Sequence, residues 1–158
     1  MELLTAQIKH LPAIIALEAS SYPDDEAATP DKIEFRLKNA NRYFLVCEKH
    51  DGLVGFVNGT VTKEETLTHH SMSHHDDDGS LLCIHSVVVD PGQRRKGVGT
   101  FILKGYVEHI KKLPNIRAIE LLCKENLRAF YENAGFVYLG VSTVEHGSEK
   151  WLSMRMVL

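Results

Sequence analysis

The sequence predicts an α/β (α+β) fold in which about seven strands and about four helices share one domain covering residues 1–158. Short runs rich in β-branched and aromatic residues recur along the chain, and stretches with apolar residues at helical spacing separate several of them. A chain of 158 residues is long enough to bury one core, and no linker, repeat or low-complexity segment divides it. The predicted order is β-α-α-β-β-β-α-β-α-β-β.

Two helices follow a short first strand at Glu2–Ala6. Apolar residues at helical spacing predict the first helix over residues 11–21. The second helix begins at Thr29-Pro30-Asp31, because threonine caps helix N-termini and proline is tolerated in the first turn. Pro23 disfavours a helical conformation for the residue before it, so Tyr22–Glu26 is predicted to be a solvent-facing loop.

A hairpin and a polar segment come next. Tyr43–Glu48 and Leu53–Val61 flank His50-Asp51-Gly52, and Asp-Gly between apolar runs predicts a β-hairpin. Lys63–Ser80 then carries clustered histidine and aspartate residues without periodicity. We interpret this segment as a mobile surface loop and expect no metal site, because no supporting contacts for such ligands can be identified in it.

The central segment joins a strand to a helix through a basic glycine loop. Leu81–Val89 is an almost continuously apolar strand, whose alternation predicts that Cys83, His85 and Val87 share one face. Apolar residues then recur at helical spacing over residues 98–110. The remaining predicted elements are a strand at Ile116–Cys123, a helix over residues 127–134 that Gly135 ends, and strands at Phe136–Val144 and Lys150–Val157.

The glycine loop has the composition of an anion site. A helix N-terminus has backbone N–H groups without intrahelical partners and a partial positive charge. Gly97 and Gly99 lack the Cβ atoms that would keep a phosphate away from this backbone. Arg94, Arg95 and Lys96 add mobile positive charge. The spacing differs from a P-loop and lacks the third glycine of the dinucleotide fingerprint, but it predicts a pyrophosphate site.

Composition limits the partners and the compartment. A formal net charge of −3 with mixed signs argues against nucleic acid as the main partner. No apolar run is long enough to span a membrane and no signal peptide precedes the first strand, so we expect a cytoplasmic protein without a membrane partner. Cys47, Cys83 and Cys123 lie in apolar runs without zinc-site spacing, and we interpret them as buried, reduced thiols.

The spacing Arg94-x-x-Gly97-x-Gly99 resembles the acetyl-CoA loop of the GCN5-related N-acetyltransferase (GNAT) superfamily, and Tyr131–Phe136 resembles that family's Y-E-x-x-G-F segment. The resemblance implies a single-domain acyl-CoA N-acyltransferase fold with a mixed central sheet, acetyl-CoA as co-substrate and no metal. It also implies that pantetheine pairs with the strand before the loop. The residues expected to bind the cofactor are Val87, Val88, Val89, Arg94, Arg95, Lys96, Gly97, Val98, Gly99 and Thr100.

Within the superfamily, the sequence is similar to the arylalkylamine (serotonin) N-acetyltransferase branch. His85 lies just before the cofactor loop, and histidine titrates near neutrality, so we expect it to be the base toward the amine. The resemblance implies that Tyr131 is the acid toward the departing thiolate. The branch has a further histidine where Cys83 stands, so proton removal is expected to rely on His85 and water. The stretches that carry the similarity are Leu53–Gly59, Lys63–Thr68, Cys83–Val89, Leu122–Leu127 and Phe130-Tyr131.

Tyr22, Pro23 and Leu122 are expected to line the amine pocket. An apolar lining favours a small arylalkylamine of the tryptamine, serotonin or phenylethylamine type, which attacks directly in a ternary complex. The acids Asp24–Glu26 favour a polyamine or diamine as the alternative. Further alternatives are a protein N-terminal or lysine acetyltransferase and, outside the enzymes, a module that senses acetyl-CoA without turnover. We expect a monomer without the terminal extensions through which the branch binds a regulatory adaptor.

Overall fold

The computed structural model describes residues 1–50 and 52–158, so the predicted turn at His50-Asp51-Gly52 lies partly outside the described residues. Seven strands and four α-helices occur in the described part of the chain. The strands are β1 (Glu2–Thr5), β2 (Phe44–Lys49), β3 (Gly52–Thr62), β4 (Leu81–Val89), β5 (Ala118–Cys123), β6 (Val137–Val141) and β7 (Leu152–Val157). The helices are α1 (Leu11–Ser21), α2 (Pro30–Asn39), α3 (Val98–Lys111) and α4 (Arg128–Asn133).

The strands form one mixed sheet in the order β1-β2-β3-β4-β5-β7-β6. Neighbouring strands are antiparallel except for β4 and β5, which are parallel. A parallel connection needs a long crossover, and α3 supplies it between these two strands. The predicted fold class and the predicted order of elements are confirmed.

Helices cover both faces of the sheet. On one face α1 and α2 bury a cluster that includes Ile14, Ile33, Phe56 and Val88. The Thr29 hydroxyl accepts a hydrogen bond from the Lys32 N–H and so caps α2, as the sequence predicts. On the other face, the predicted apolar stripe of α3 is buried throughout and consists of Val98, Ile102, Leu103, Tyr106, Val107 and Ile110.

The polar segment Lys63–Ser80 lies mostly at the surface, as predicted, but hydrogen bonds attach it to the sheet at several points, which the sequence did not predict. The backbone N–H of Asp76 donates to the carbonyl of Val61 over 2.8 Å. The Thr60 hydroxyl donates to the carbonyl of Ser71 over 2.8 Å, and Ser71 is only 1% exposed. Composition does not reveal these contacts, because the polar side chains and backbone groups that make them carry no hydrophobic pattern.

A β-bulge at His85 changes which face of the sheet the later side chains of β4 occupy. Asn58 pairs with Ser86 and Gly59 pairs with Ile84, so His85 is an extra residue in β4. Beyond the bulge, Val87 packs in the same cluster as Ile84 under α3. His85 stays on the face of Cys83, because it contacts Thr60, the residue of β3 that pairs with Cys83. The prediction that Val87 also shares this face is wrong, because simple alternation cannot anticipate an inserted residue.

The three cysteines are buried and free, as the sequence predicts. None of the helices in the ranges 1–50 and 52–158 combines the length and the apolar character that a bilayer crossing requires.

Candidate active site

The two parallel strands at the centre of the sheet separate halfway along their length. β4 pairs with β5 only as far as Ile84 opposite Leu121, whereas β4 continues to Val89. The Asp90 N–H donates to the Val54 carbonyl on β3. By alternation, the backbone polar groups of Val87 and Val89 point away from β3 and into the opening between β4 and β5. The sheet therefore offers unpaired backbone groups to a ligand at this point.

The predicted glycine loop lies at the mouth of this opening. Gly97 is the N-cap of α3 with φ of +78°, a left-handed conformation that favours glycine. No side chain caps the helix, so its first N–H groups are available to a ligand. A Cβ atom added at Gly99 would lie 3.5 Å from the Phe130 ring, which is an ordinary contact. Packing within the protein therefore does not require glycine at position 99.

The opening between the strands continues into a cavity of about 670 Å³. It is lined by all the residues predicted to bind the cofactor except Lys96, and by the predicted residues His85, Tyr131, Tyr22, Pro23 and Leu122. The structure thus brings together, in one cavity, residues from five separate stretches of the sequence. No group of three or more histidine, cysteine, aspartate or glutamate side chains suited to a metal ion occurs among the described residues.

Hydrogen bonds fix the tautomer of His85. Its Nε2 lies 2.7 Å from the Thr60 hydroxyl oxygen, and that hydroxyl donates its only proton to the Ser71 carbonyl. The imidazole must therefore be the donor from Nε2 to Thr60. Nδ1 then carries the lone pair of the neutral ring, on a side chain that lines the cavity.

The surroundings of His85 also fix its charge. Burial lowers the pKa of His85 well below its ordinary value, and the positive charges of Arg36 and Lys32 lower it further. The imidazole is consequently neutral at neutral pH and can accept a proton. An acceptor at Nδ1 is the state that a general base requires before reaction.

Two tyrosines line the same cavity: Tyr131 from α4, and Tyr22, which directly follows α1. Tyr131 is 6% exposed, and its ring packs edge-to-face against Phe130 and Phe136. Burial raises the pKa of Tyr131, and the nearby Tyr22 phenol raises it further, so the hydroxyl keeps its proton. The Tyr22 phenol lies within hydrogen-bonding reach of the Val87 backbone and the Ser86 side chain. Tyr131 can therefore act as a proton donor in this cavity.

Buried charges line the wall formed by α1 and α2. The carboxylate of Glu18, 2% exposed, accepts hydrogen bonds from the Ala28 N–H at 2.9 Å and the Ser86 hydroxyl at 2.8 Å. Burial raises the pKa of Glu18. The guanidinium of Arg36 donates to Asn58 Oδ1 at 3.3 Å and to the Met72 carbonyl at 3.0 Å, and burial lowers its pKa to about 10.

The loop that follows α1 covers one end of the cavity and is fastened by the C-terminal part of the chain. Glu26 is ion-paired with Lys124 at 2.7 Å, and its carbonyl lies 2.6 Å from His146 Nε2. Asp25 accepts from the Ser148 N–H at 3.1 Å. Trp151 donates from Nε1 to the His146 carbonyl and lines the cavity beside Lys124. The predicted solvent-facing loop therefore also forms a cover, in which Asp25 and Glu26 are engaged by the protein while Asp24 is exposed.

Several residues that line the cavity or contact its side chains were not among the predicted site residues. Glu18 and Arg36 have a sequence signal, since each is a charged residue inside an otherwise apolar helical stripe. Thr60, His146 and Trp151 have none, because their roles depend on contacts between segments remote in sequence.

Comparison with known proteins identifies the family. The sequence profile of the acetyltransferase (GNAT) family matches residues 11–136. Serotonin N-acetyltransferase of Mesocricetus auratus is 31% identical over 106 residues, which are 67% of this chain and 51% of that protein. The chain thus spans about half the length of this relative, and the predicted similarity to the arylalkylamine branch is confirmed.

Solved structures share the whole fold at low identity. The GphF GNAT-like decarboxylase in complex with isobutyryl-CoA has a TM-score of 0.85 and 17% identity, with 99% of both chains covered. The ribosomal-protein-alanine N-acetyltransferase from Brucella melitensis has a TM-score of 0.76 and 17% identity, with 100% of both chains covered. These likenesses concern the fold alone. The family profile and the shared architecture together establish that the chain belongs to the acetyltransferase (GNAT) family.

Proposed function

We propose that residues 1–158 form one N-acetyltransferase domain that moves the acetyl group of acetyl-CoA to the primary amine of a small arylalkylamine. The observation that carries this proposal is the continuous cavity between β4 and β5. At one end lie the glycine loop and the N-terminus of α3, which no side chain caps. At the other end lies the buried, neutral imidazole of His85. A cofactor whose phosphates bind at the first end could therefore bring its acetyl group to an amine at the second end.

The residues present fit coenzyme A. A pyrophosphate needs backbone donors, and the first turn of α3 has N–H groups that no side chain caps. Neither Gly97 nor Gly99 is required by internal packing, since an added Cβ would meet nothing within 4 Å at Gly97 and only ordinary contacts at Gly99. Arg94 and Arg95 would add positive charge, and the backbone groups of Val87 and Val89 that face away from β3 would bind the pantetheine amides.

The side chains of the cavity have the protonation states that amide formation requires. When bound, acetyl-CoA supplies an activated acetyl carbonyl. Nδ1 of His85 accepts a proton from the amine, directly or through water, because an alkylamine with a pKa of about 10 is mostly protonated at neutral pH. The Tyr131 phenol donates its proton to the sulfur as the carbon–sulfur bond breaks. Both roles agree with the burial that keeps His85 neutral and Tyr131 protonated.

An aromatic amine suits the cavity better than a polyamine. Tyr22, Leu122 and Trp151 line it with large apolar surfaces. Two of the three loop acids that suggested a second ammonium have other partners: Asp25 accepts from Ser148 and Glu26 is paired with Lys124. The third, Asp24, is exposed to solvent. The similarity to serotonin N-acetyltransferases supports the same choice. A polyamine, a protein N-terminus or lysine, and a sensor without turnover are the alternatives to be tested.

An amine panel with acetyl-CoA tests this proposal. Release of the coenzyme A thiol is followed with tryptamine, phenylethylamine, putrescine, spermidine and a peptide, and each product is identified by mass spectrometry. We expect tryptamine and phenylethylamine to be acetylated with the highest kcat/KM. Turnover of the peptide alone, or binding of acetyl-CoA without turnover of any amine, would contradict the proposed function.

A further inference from the structure

An uncompensated cation lies in the half of the cavity that faces α1 and α2. Lys32 lines the cavity and is half-buried in the first turn of α2. Within the described residues, its ammonium has no carboxylate within 4.0 Å. A cation at a helix N-terminus is also opposed by the helix dipole. The position of Lys32 is therefore unfavourable for the isolated protein.

The other charges in this half of the cavity compensate one another. Glu26 is ion-paired with Lys124, and the charges of Glu18 and Arg36 stabilise each other. Among the described residues of this half, Lys32 is the cation without a counter-charge, and its positive charge contributes to the lowered pKa of His85. It therefore lies within electrostatic reach of the imidazole that receives the amine proton.

Two other polar side chains in the same cavity, Ser21 and Arg36, have unused hydrogen-bonding capacity. The buried Ser21 hydroxyl has no hydrogen-bond partner among the described residues. A guanidinium has five N–H donors, and only two hydrogen bonds of Arg36 were found in residues 1–50 and 52–158. Unpartnered acceptors also line the cavity among the described residues, Gln93 Oε1 being one, so the distinguishing feature of this half is the charge of Lys32 beside the further N–H donors of Arg36.

We infer that Lys32 is a specificity-determining residue and that the acceptor amine carries an anionic group, a carboxylate being the simplest, beside its aromatic part. This inference rests on the proposed function and narrows its substrate class. A carboxylate would supply the missing counter-charge of Lys32 and the acceptor for neighbouring donors, while the aromatic ring would contact the apolar lining. A second ammonium in the substrate would instead be repelled by Lys32.

Matched pairs of amines test the inference. Phenylethylamine is compared with 4-(2-aminoethyl)benzoic acid, which places a carboxylate on the ring, and with phenylalanine, which places it beside the amine. We expect at least one acid-bearing amine to exceed phenylethylamine in kcat/KM by about tenfold, the scale of one partly buried charge pair. Lys32→Gln should reduce that preference by about tenfold, and Lys32→Glu should reverse it. Lys38→Gln, at an exposed lysine of the same helix paired with Glu34, is the control and should leave the preference unchanged.

The outcomes separate this inference from the proposed function. Equal or lower kcat/KM for both acid-bearing amines, or a preference that survives Lys32→Gln, overturns the inference while the acetyltransferase activity stands. If no amine releases the thiol, the proposed function fails, and calorimetric affinities of the same amines for the coenzyme A complex decide the inference. Tighter binding of an acid-bearing amine that Lys32→Gln abolishes supports it, and equal affinities overturn it.

Discussion

The two halves of the cavity are built in different ways. The half at the N-terminus of α3 consists of consecutive residues, presents backbone groups and glycines, and carries exposed basic side chains. The half between α1, α2 and β4 consists of single residues from distant segments, joined by buried hydrogen bonds such as those of His85 with Thr60 and of Glu18 with Ser86. A backbone site is suited to a ligand common to a whole family, whereas a side-chain network can change with the substrate.

The same difference predicts two kinds of mutational response. Changes in the backbone half should weaken cofactor binding without changing the chemical step. Changes in the side-chain half should reduce kcat and leave the affinity for acetyl-CoA intact. Each variant below tests whether this separation holds.

Replacing His85 should have the largest effect. His85→Gln removes the Nδ1 acceptor, and loss of a general base lowers kcat by about 10²–10⁴-fold. The KM for acetyl-CoA should stay within about twofold, because the glycine loop is untouched. Steady-state kinetics with tryptamine measures both constants. His109→Gln, on the outer side of α3 where Nε2 contacts the Arg42 carbonyl, is the control. A kcat for His85→Gln close to that of the control would remove His85 from the chemistry.

Substitution of two buried tyrosines by phenylalanine should distinguish an effect on catalysis from an effect on stability. Tyr131→Phe removes the proposed proton donor and should lower kcat by about 10²-fold. Tyr106→Phe removes a buried hydrogen bond to the Tyr43 carbonyl and should lower the free energy of unfolding by about 1 kcal/mol with kcat unchanged. Kinetics and urea unfolding of both variants check this contrast. Full activity of Tyr131→Phe would show that another group protonates the thiolate.

Alanine substitutions at two glycines of α3 should differ in their effect on acetyl-CoA binding. Gly99→Ala places a methyl group in the proposed pyrophosphate site and should weaken acetyl-CoA binding by about 10- to 100-fold, through the loss of charge-assisted hydrogen bonds. Its Tm should not fall, because the added Cβ meets only ordinary contacts and alanine favours helix. Gly105→Ala lies outside the proposed pyrophosphate site and should leave affinity unchanged. Its Cβ would come within 2.6 Å of Leu3 Cδ2, the end of a flexible side chain that can shift, and alanine favours helix, so Tm should change little. Calorimetry and thermal unfolding measure the pair, and unaltered binding in Gly99→Ala would place the phosphates elsewhere.

Thr60 should act only through His85. Thr60→Val keeps the shape of the side chain but removes the acceptor that holds Nε2–H, so the imidazole is free to change tautomer. We expect kcat to fall by about tenfold, with acetyl-CoA affinity unchanged and with Thr60→Ser restoring kcat. If Thr60→Ser is as slow as Thr60→Val, the loss comes from packing and not from the hydrogen bond.

The smallest predicted effect is a pH dependence of stability. The folded pKa of His85 is lowered, so the unfolded chain binds the extra proton below the ordinary value of 6.5. The free energy of unfolding should therefore fall as pH drops below about 6.5, by up to about 1.4 kcal/mol per pH unit from this group, and be unaffected above it. Glu18, whose folded pKa is raised, acts in the opposite direction. Urea unfolding of wild type and His85→Gln isolates the contribution of His85, and equal slopes would contradict it.

Sequence alone predicted the backbone half of the cavity better than the other half. The strand, glycine loop and helix of residues 81–111 are local signals, and the structure has them nearly where the sequence places them. The bulge at His85, the hydrogen bonds of Lys63–Ser80 to Arg36 and Glu120, and the ion pair of Glu26 with Lys124 depend on contacts between remote segments. Hydrophobic periodicity reports on burial but not on such pairwise contacts, so these features could only be read from the structure.

The most direct test of the account is a crystal structure of the protein with coenzyme A. The account predicts pyrophosphate oxygens on the N–H groups at the start of α3, pantetheine along Val87 and Val89, and the thiol beside Tyr131 on the side of His85. Coenzyme A bound outside the opening between β4 and β5, or with its thiol directed away from His85, would contradict the account.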